Sequence, residues 1–338
     1  MRIKLMIMTV VLQVLVLVYM AGEREWIVRN GTIVYLQTAP LDPRDPFRGN
    51  YVKLDYAMNH VPTNRLRGVS FINRAEHEQQ SLRGKQVYAV LRNSGGVISS
   101  LDYVTDQKPD DGLFIRGRID RYWYWGGGED VIPVRYGFEA FFMQEDKAKA
   151  LEGQRRRDGI QVPLEMEVAV SGKGVSVLKG YRWSTLGIGM KLEMVSPTNR
   201  QVRAATIQLV NVSSNDVAII DLPDAQSMAL ENDWIRSWGN RDVSWVMAGK
   251  PRAQATDDHV VVLKPGGQHE IHVDLTQPHW FVSKGNEQAK SLRDLQGGSM
   301  FRLIYRPPDP GECQGLKRAS LIWHGELPSP AFGGGRVD

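Results

Sequence analysis

The feature that most constrains this chain is an apolar run at its N-terminus. Between Ile3 and Ala21 only Lys4, Thr9 and Gln13 interrupt a series of aliphatic and other apolar residues. A helix of about 19 residues rises roughly 28 Å, which is close to the hydrocarbon thickness of a bilayer. The run therefore predicts one transmembrane helix and makes the lipid bilayer the partner of residues 3–21.

The end of this run predicts that the helix is not removed. A signal peptidase prefers small residues at alternate positions after the apolar stretch, but bulky Tyr19 stands two positions before Ala21. We therefore expect residues 1–22 to remain as an anchor. The alternative, a helix buried in a soluble core, would need an apolar pocket around every face of the segment.

Flanking charges predict the orientation of the anchor. Arg2, Lys4 and the amino terminus place positive charge before the span, whereas Glu23 and Glu25 place negative charge just after it. By the positive-inside rule the bulk of the chain then lies on the exported side of the membrane.

Length and composition indicate two folded domains behind the anchor. The chain has 338 residues, of which 42% are hydrophobic and 24% charged. Its 42 basic and 38 acidic residues are interleaved, and no motif of a nucleic-acid-binding fold occurs, so no nucleic-acid partner is expected. The single cysteine, Cys313, excludes an intrachain disulfide and a thiolate metal cluster, and we expect a surface thiol.

Residues 23–185 are predicted to form a β-rich, barrel-like domain. The run Glu25–Gln37, rich in β-branched and aromatic residues, opens it, and only Glu145–Arg157 has a good helical composition. The other predicted strands are Tyr51–Met58, Gln86–Arg92, Leu113–Tyr124, Val131–Phe142, Val162–Val170 and Val175–Trp183.

Residues 186–328 are predicted to form an immunoglobulin-like β-sandwich, because short apolar runs alternate there with turn residues. Residues 329–338 are rich in glycine and are predicted to be a flexible tail. The predicted strands of the sandwich are Ile188–Met194, Ala204–Val212, Val217–Ile220, Val243–Met247, His259–Leu263, His269–Leu275, Met300–Tyr305 and Ala319–His324.

A short motif gives a family resemblance. The run Gly49-Asn50-Tyr51-Val52-Lys53-Leu54-Asp55-Tyr56 follows a proline-rich lead-in, Asp42 to Arg48. It resembles the signature of the GDYXXLXY protein family at Gly49, Tyr51, Leu54 and Tyr56, and departs from it at Asn50, where the family has an aspartate. The resemblance extends over roughly residues 1–185.

The resemblance implies a membrane-anchored bacterial protein. With the charges around the anchor, this predicts a single-pass protein of the inner membrane whose bulk lies on the periplasmic or exported side. The family name describes a motif and not an activity. In a strand, Tyr51, Lys53 and Asp55 share one face and Val52, Leu54 and Tyr56 the other, as in a half-buried sheet. This alternation favours a folding role for the motif, and Asn50 lacks the charge that acid or base chemistry would need.

One aromatic cluster is a candidate binding surface. Tyr122-Trp123-Tyr124-Trp125 runs directly into three glycines. Exposed Trp123 and Trp125 could bind a glycan, whereas ordinary strand packing would bury part of the cluster.

The sequence predicts no metal site, no cofactor and no catalytic residue. Glu270, His272 and Asp274 would share one strand face, which is typical of a solvated sheet surface. No histidine pair has the spacing of a zinc protease, and no glycine-rich loop has the lysine and hydroxyl residue of a phosphate-binding loop.

Three functions remain as hypotheses. The first is a non-catalytic scaffold or interaction protein whose sandwich offers an edge or a loop to a protein partner. The second is a membrane-bound hydrolase distantly similar to signal peptidase, for which Lys85 and Thr38 are the candidate base and nucleophile. The third is a glycan-binding protein that uses Trp123 and Trp125.

Overall fold

The structure is a computed structural model, and it describes residues 2–41, 51–62, 65–68, 82–92, 99–120, 131–142, 156–157, 159–195, 202–232, 243–245, 252–276, 280, 282–284 and 300–333. Within these ranges the chain is mainly β, and a long helix, α1 (Arg2–Asn30), precedes the strands. The prediction of a mainly β chain behind one apolar helix is confirmed.

The N-terminal half contains two sheets. The strands of the first are β1 (Thr32–Leu41), β2 (Tyr51–Tyr56), β9 (Ala140–Phe142), β12 (Leu164–Val170) and β13 (Ser176–Trp183). Those of the second are β3 (His60–Pro62), β4 (Leu66–Arg67), β5 (Gln86–Arg92), β6 (Ser100–Thr105), β7 (Phe114–Ile119) and β8 (Val131–Arg135). The first sheet has the order β13-β12-β1-β2-β9 and the second the order β3-β8-β7-β5-β6-β4.

One hydrophobic core joins the two sheets. Alternate residues of β1, such as Val34 and Leu36, are buried together with Ala89 of β5, Ile115 of β7 and Met166 of β12. This alternation is the pattern of strands with one buried face. Both sheets are open, because β13 and β9 end the first and β3 and β4 end the second. The predicted barrel-like closure is therefore wrong.

Helix α1 is joined to the first sheet without a linker. Ile27 is only 2% exposed, and the last turn of α1 packs against β12 and β13. The amide of Gly31 donates to the carbonyl of Ile27 at 2.7 Å, and Thr32 then pairs with Val170. The end of the helix is thus part of the fold of the first sheet.

The prediction of a strand over Glu25–Gln37 is wrong for its first part. Residues 25–30 are helical, and the strand begins at Thr32. Arg29 Nε lies 2.6 Å from Glu25 Oε1, one helical turn away, and such pairs stabilise a helix that has already formed. The apolar helix therefore continues through residues whose own propensity favours a strand.

The described strands of the C-terminal half form one sheet of five strands, one of four and two pairs. They are β10 (Arg156–Arg157), β11 (Ile160–Gln161), β14 (Leu186–Met194), β15 (Val202–Asn211), β16 (Val217–Ile220), β17 (Met228–Asn232), β18 (Val243–Trp245), β19 (Val260–Leu263), β20 (Gln268–Asp274), β21 (Val282–Lys284), β22 (Met300–Tyr305), β23 (Leu327–Pro328) and β24 (Phe332–Gly333). The five-stranded sheet has the order β10-β11-β14-β15-β20. In the four-stranded sheet β22 pairs with β17, β23 and β24. The two pairs are β16 with β19 and β18 with β21.

A second hydrophobic core holds this half together. It contains Ile188, Ile207, Leu230, Ile271 and Leu303, all less than 4% exposed. Gln161 of β11 pairs with Ile188 of β14, so strands from both sides of the predicted domain boundary at residues 185 and 186 share one sheet. The boundary itself and the immunoglobulin-like topology stay predictions.

Three local predictions are wrong where the structure describes them. Arg156–Arg157, predicted as the end of a helix, forms β10, and the rest of Glu145–Arg157 lies outside the described residues. The predicted strand Ala319–His324 begins with a 3-10 turn over Ala319–Leu321, and Ile322 contributes one bridge to Ala218. Residues 329–333, predicted as part of a flexible tail, are packed, because Phe332 is 3% exposed and its ring lies 6.5 Å from that of Phe301.

We expect the junction between α1 and β1 to be intolerant of any side chain at Gly31. A Cβ added there would lie 2.6 Å from the carbonyl oxygen of Ile27 and 3.0 Å from that of Val170. The Gly31→Ala variant should lower the free energy of unfolding by about 1–3 kcal/mol, as overpacking usually does. The measurement is denaturant unfolding of the full-length protein in detergent micelles, followed by tryptophan fluorescence.

The matched control is Gly22→Ala in the same helix, where a Cβ meets nothing within 4 Å. This change should leave the unfolding midpoint unaltered or raise it slightly, because alanine is favoured over glycine in helices by about 1 kcal/mol. Equal midpoints for Gly31→Ala and Gly22→Ala would show that the junction is loose.

Candidate functional site

The motif strand lies inside the first sheet. β2 pairs on one side with β1, where Thr38 faces Tyr56, and on the other side with β9. Leu54 and Tyr56 are each 1% exposed, so these two motif positions are core residues. Gly49 and Asn50 lie outside the described residues, as do the side chains of Tyr51, Val52, Lys53 and Asp55.

A buried polar network surrounds the end of the motif. Asn59 accepts a hydrogen bond from the amide of Tyr56 at 2.9 Å and donates to the carbonyl of Val134 at 2.8 Å and to Glu139 Oε1 at 3.2 Å. Glu139 in turn accepts from the amides of Tyr136 and Gly137. Since Val134 belongs to β8 and Glu139 precedes β9, the network connects the motif strand to both sheets.

Two tyrosine hydroxyls complete this network. Tyr56 donates to the carbonyl of Phe138 at 3.3 Å, and Tyr136 donates to the carbonyl of Met58 at 3.0 Å. Burial raises the pKa of both phenols above the usual value, and the nearby carboxylate of Glu139 raises each pKa further. The two phenols therefore stay neutral and donate hydrogen bonds within the network.

The candidate hydrolase pair receives no support from the surroundings of its members. Thr38 is 5% exposed within β1, so its hydroxyl is not open to a substrate. Lys85 stands just before β5, and its Nζ lies 3.6 Å from Asp106 Oδ2.

The candidate glycan-binding surface lies outside the described residues. This holds for Trp123 and Trp125 and for the whole aromatic run from Tyr122 to Trp125. Glycan binding by these residues therefore stays a prediction.

A polar cleft lies beside strand β20 in the C-terminal half. It has a volume of about 340 Å³, and its polar lining consists of Asp221, Asp224, His259, Glu270 and His272. His269 Nε2 lies 2.7 Å from Asp221 Oδ2 at its edge. We call this feature the β20 cleft.

The chemistry of the β20 cleft favours binding of a cation or a basic group. Carboxylates and imidazoles supply hydrogen-bond acceptors, and the carboxylates give the lining a negative charge. The described residues contain no group of three or more His, Cys, Asp or Glu side chains that could hold a metal ion. Asp274, expected on the same strand face, instead accepts hydrogen bonds from the amide and the hydroxyl of Thr276.

The one cysteine is not at the surface, so the expectation of a surface thiol is wrong. Cys313 is 1% exposed and packs with Ala218, Ile220 and Ile322 in a small apolar cluster. Burial, followed by the field of Glu312, raises the pKa of its thiol. A buried thiol with a raised pKa is a packing residue and a poor nucleophile.

Fold and motif together define a β-rich protein behind one N-terminal helix that is long and apolar enough to cross a membrane. Residues 13–180 match the family model of the GDYXXLXY protein. The chain therefore belongs to the GDYXXLXY family through this region, which includes α1 from residue 13 onward and the complete first sheet apart from the end of β13. Neither a curated protein nor a solved structure matches the chain.

Sequence reasoning missed the polar network around Tyr56. The network joins Asn59 to Glu139, which are 80 residues apart in the chain. No spacing rule connects positions so distant, although the Tyr136-Gly137-Phe138-Glu139 run belongs to the region of the family resemblance. The β20 cleft was missed for a similar reason, because its lining comes from three separate segments.

Asn59 should be the most sensitive polar residue of the network. Its replacement by alanine leaves the Tyr56 amide and the Val134 carbonyl without their partner in a buried site. Each such group costs about 1–3 kcal/mol, so Asn59→Ala should lower the free energy of unfolding by about 2–6 kcal/mol. Denaturant unfolding of the protein in micelles measures this free energy. The control is Asn30→Ala at the exposed end of α1, which should change the free energy of unfolding by no more than about 0.5 kcal/mol. A similar small change for Asn59→Ala would remove the network as a stabilising feature.

Proposed function

We propose that the chain is a single-pass protein of a bacterial inner membrane that displays its β-rich part on the exported side and acts there as a non-catalytic interaction protein. The observation that carries the membrane part of this proposal is the exposure of α1. None of its most apolar stretch is buried by the rest of the protein. A long, mainly apolar helical stretch that the protein leaves uncovered is favoured in a lipid environment.

The continuity of α1 supports retention of the anchor. Residues 22–30 extend the same helix beyond the apolar run, and Ile27 packs against the first sheet. The apolar run is thus joined to the first sheet by a continuous helix and not by a flexible linker. The poor cleavage signal around Tyr19 and Ala21 points in the same direction.

The charges around α1 support the orientation. Arg2 and Lys4 precede the span together with the amino terminus. After the span, Arg24 stands between Glu23 and Glu25, and Arg29 is paired with Glu25 at 2.6 Å. Three positive charges thus stand within the first four residues before the span, against one, Arg24, within the four residues after Ala21, as expected if the amino-terminal side is cytoplasmic.

Two arginines at the centre of the span should abolish anchoring. Each arginine there opposes insertion by about 2.5–3.5 kcal/mol, so the double change Leu12→Arg, Leu15→Arg should move the protein out of the carbonate-resistant membrane fraction. The control, Leu12→Ile with Leu15→Ile, should remain in that fraction.

Two observations would contradict this part of the proposal. A mature chain that begins near Gly22 would overturn the anchoring, and a C-terminal tag that resists external protease in spheroplasts would overturn the orientation.

The open sheet edges support the interaction role. Among the described strands, β13 and β20 each have a neighbour on one side only. The unpaired edge of a strand carries backbone donors and acceptors that can bind an extended peptide as an added strand. β20 is the better candidate, because the β20 cleft lies directly beside it.

The cleft suggests the chemistry of the partner. Asp221, Asp224 and Glu270 place carboxylates in its lining. An extended peptide segment on β20 would bring its side chains to this lining, and a lysine or arginine would be favoured there. The proposed partner is therefore a protein with an extended basic segment on the exported side of the membrane.

Charge reversal in the cleft tests this role. A photo-crosslinking amino acid in place of His272 should give an adduct with a partner protein in intact cells. Adding Glu270→Lys to the same chain should reduce the yield of this adduct at least tenfold, because the attraction between the glutamate and the basic segment of the partner becomes a repulsion. The control is Lys264→Glu on the exposed turn before β20, which should leave the adduct unchanged. Equal adduct yields with Glu270→Lys, or no adduct at His272, would contradict docking at β20.

A further inference from the structure

Gln13 occupies an unusual position in α1. It lies near the midpoint of the apolar run from Ile3 to Ala21, and its side chain is exposed on the helix surface. Half the hydrocarbon thickness is about 15 Å, so an amide at this depth is too far from either interface to reach water. In a bilayer the Gln13 side chain is thus surrounded by lipid tails or by another helix.

The other uncharged polar residue of the run, Thr9, has its hydrogen bond within the helix. Its hydroxyl donates to the carbonyl of Leu5 at 3.0 Å. The Gln13 amide carries two N–H donors and a carbonyl acceptor, and no hydrogen bond joins it to another residue in the described chain. A polar group in hydrocarbon without a partner is strongly unfavourable, so Gln13 requires a partner from outside this chain.

We propose that the partner is a second copy of this chain, and that α1 forms a parallel dimer in the membrane through reciprocal hydrogen bonds between the two Gln13 side chains. The inference rests on the membrane anchoring proposed above. A carboxamide is self-complementary, because each copy offers the donor and the acceptor that the other needs. Both copies also have the same orientation and depth, so their Gln13 side chains lie at the same level.

The residues around Gln13 form a surface for such a pair. Met6, Thr9, Val16 and Met20 follow one another with Gln13 at intervals of three and four residues, so they share one face of α1. Ile27 continues this stripe, but it is buried against the first sheet of its own chain. The pairing surface therefore ends at Met20, and the two helices must separate above it to accommodate their β-rich parts.

Disulfide crosslinking of the full-length protein in isolated membranes tests the pairing. Met6→Cys places a thiol on the proposed face, and Met8→Cys places one at almost the same depth on the opposite face. The native Cys313 is 1% exposed and does not interfere. We expect oxidation to give a product of twice the 38.1 kDa chain mass for Met6→Cys and little or none for Met8→Cys.

Adding Gln13→Leu to Met6→Cys should weaken the pair by about fivefold to thirtyfold, the usual range for interhelical hydrogen bonds in membranes. Gln13→Asn should retain most of the product, because it keeps an amide at the same position. The change to leucine makes the span more apolar, so the variant remains in the membrane fraction.

The outcomes separate this inference from the proposed function. Monomeric protein in the membrane fraction, equal crosslinking of the Met6→Cys and Met8→Cys variants, or a crosslinked product with a different protein would each overturn the dimer and leave the anchor in place. Absence of the protein from the membrane fraction would overturn the anchor itself.

Discussion

The pairing of β1 with its two neighbours is the constraint on which the rest of the N-terminal half depends. β1 starts directly after α1, pairs with β12 from Thr32 to Thr38 and with β2 from Thr38 to Leu41. One strand thus determines where the helix ends, where the motif strand lies and which residues face the core. A shift of one residue in this register would turn Val34 and Leu36 out of the core and Tyr35 into it.

The family motif is therefore best understood as a folding element. Leu54 and Tyr56 lie in the core, and the backbone of Tyr56 is held by Asn59 within the network around Glu139. The partly buried carboxylate of Glu139 is tolerable there because two backbone amides and the Asn59 amide donate hydrogen bonds to it. The residues that name the family mark the place where two sheets meet, which explains why a name based on a motif says little about activity.

Much of the secondary structure could be predicted from the sequence, because alternation of apolar and polar residues is a local signal. Gln86–Arg92, Val217–Ile220 and Met300–Tyr305 have the same bounds in prediction and structure. The prediction was wrong where a neighbouring element overrides local propensity. Trp26 to Val28 favour a strand by residue type, but the helix that precedes them continues through them.

The candidate site was less predictable than the fold, because its parts are brought together only by tertiary structure. Asn59 and Glu139 are distant in sequence, and the lining of the β20 cleft comes from residues near 222, 259 and 271. The packed C-terminal residues illustrate the same limit, since Phe332 reads as part of a glycine-rich end and is buried only because Phe301 of β22 lies beside it.

The direct passage from α1 through Gly31 into β1 limits how far the β-rich part can travel. In the anchored protein it could not swing on a tether, so its search for a partner would be a two-dimensional one, confined to a layer of fixed height above the lipid headgroups. Any tilt of the helix would be transmitted to the sheets as a rotation of the whole body. Local thickness or curvature of the bilayer would then change the angle at which the open edges are presented.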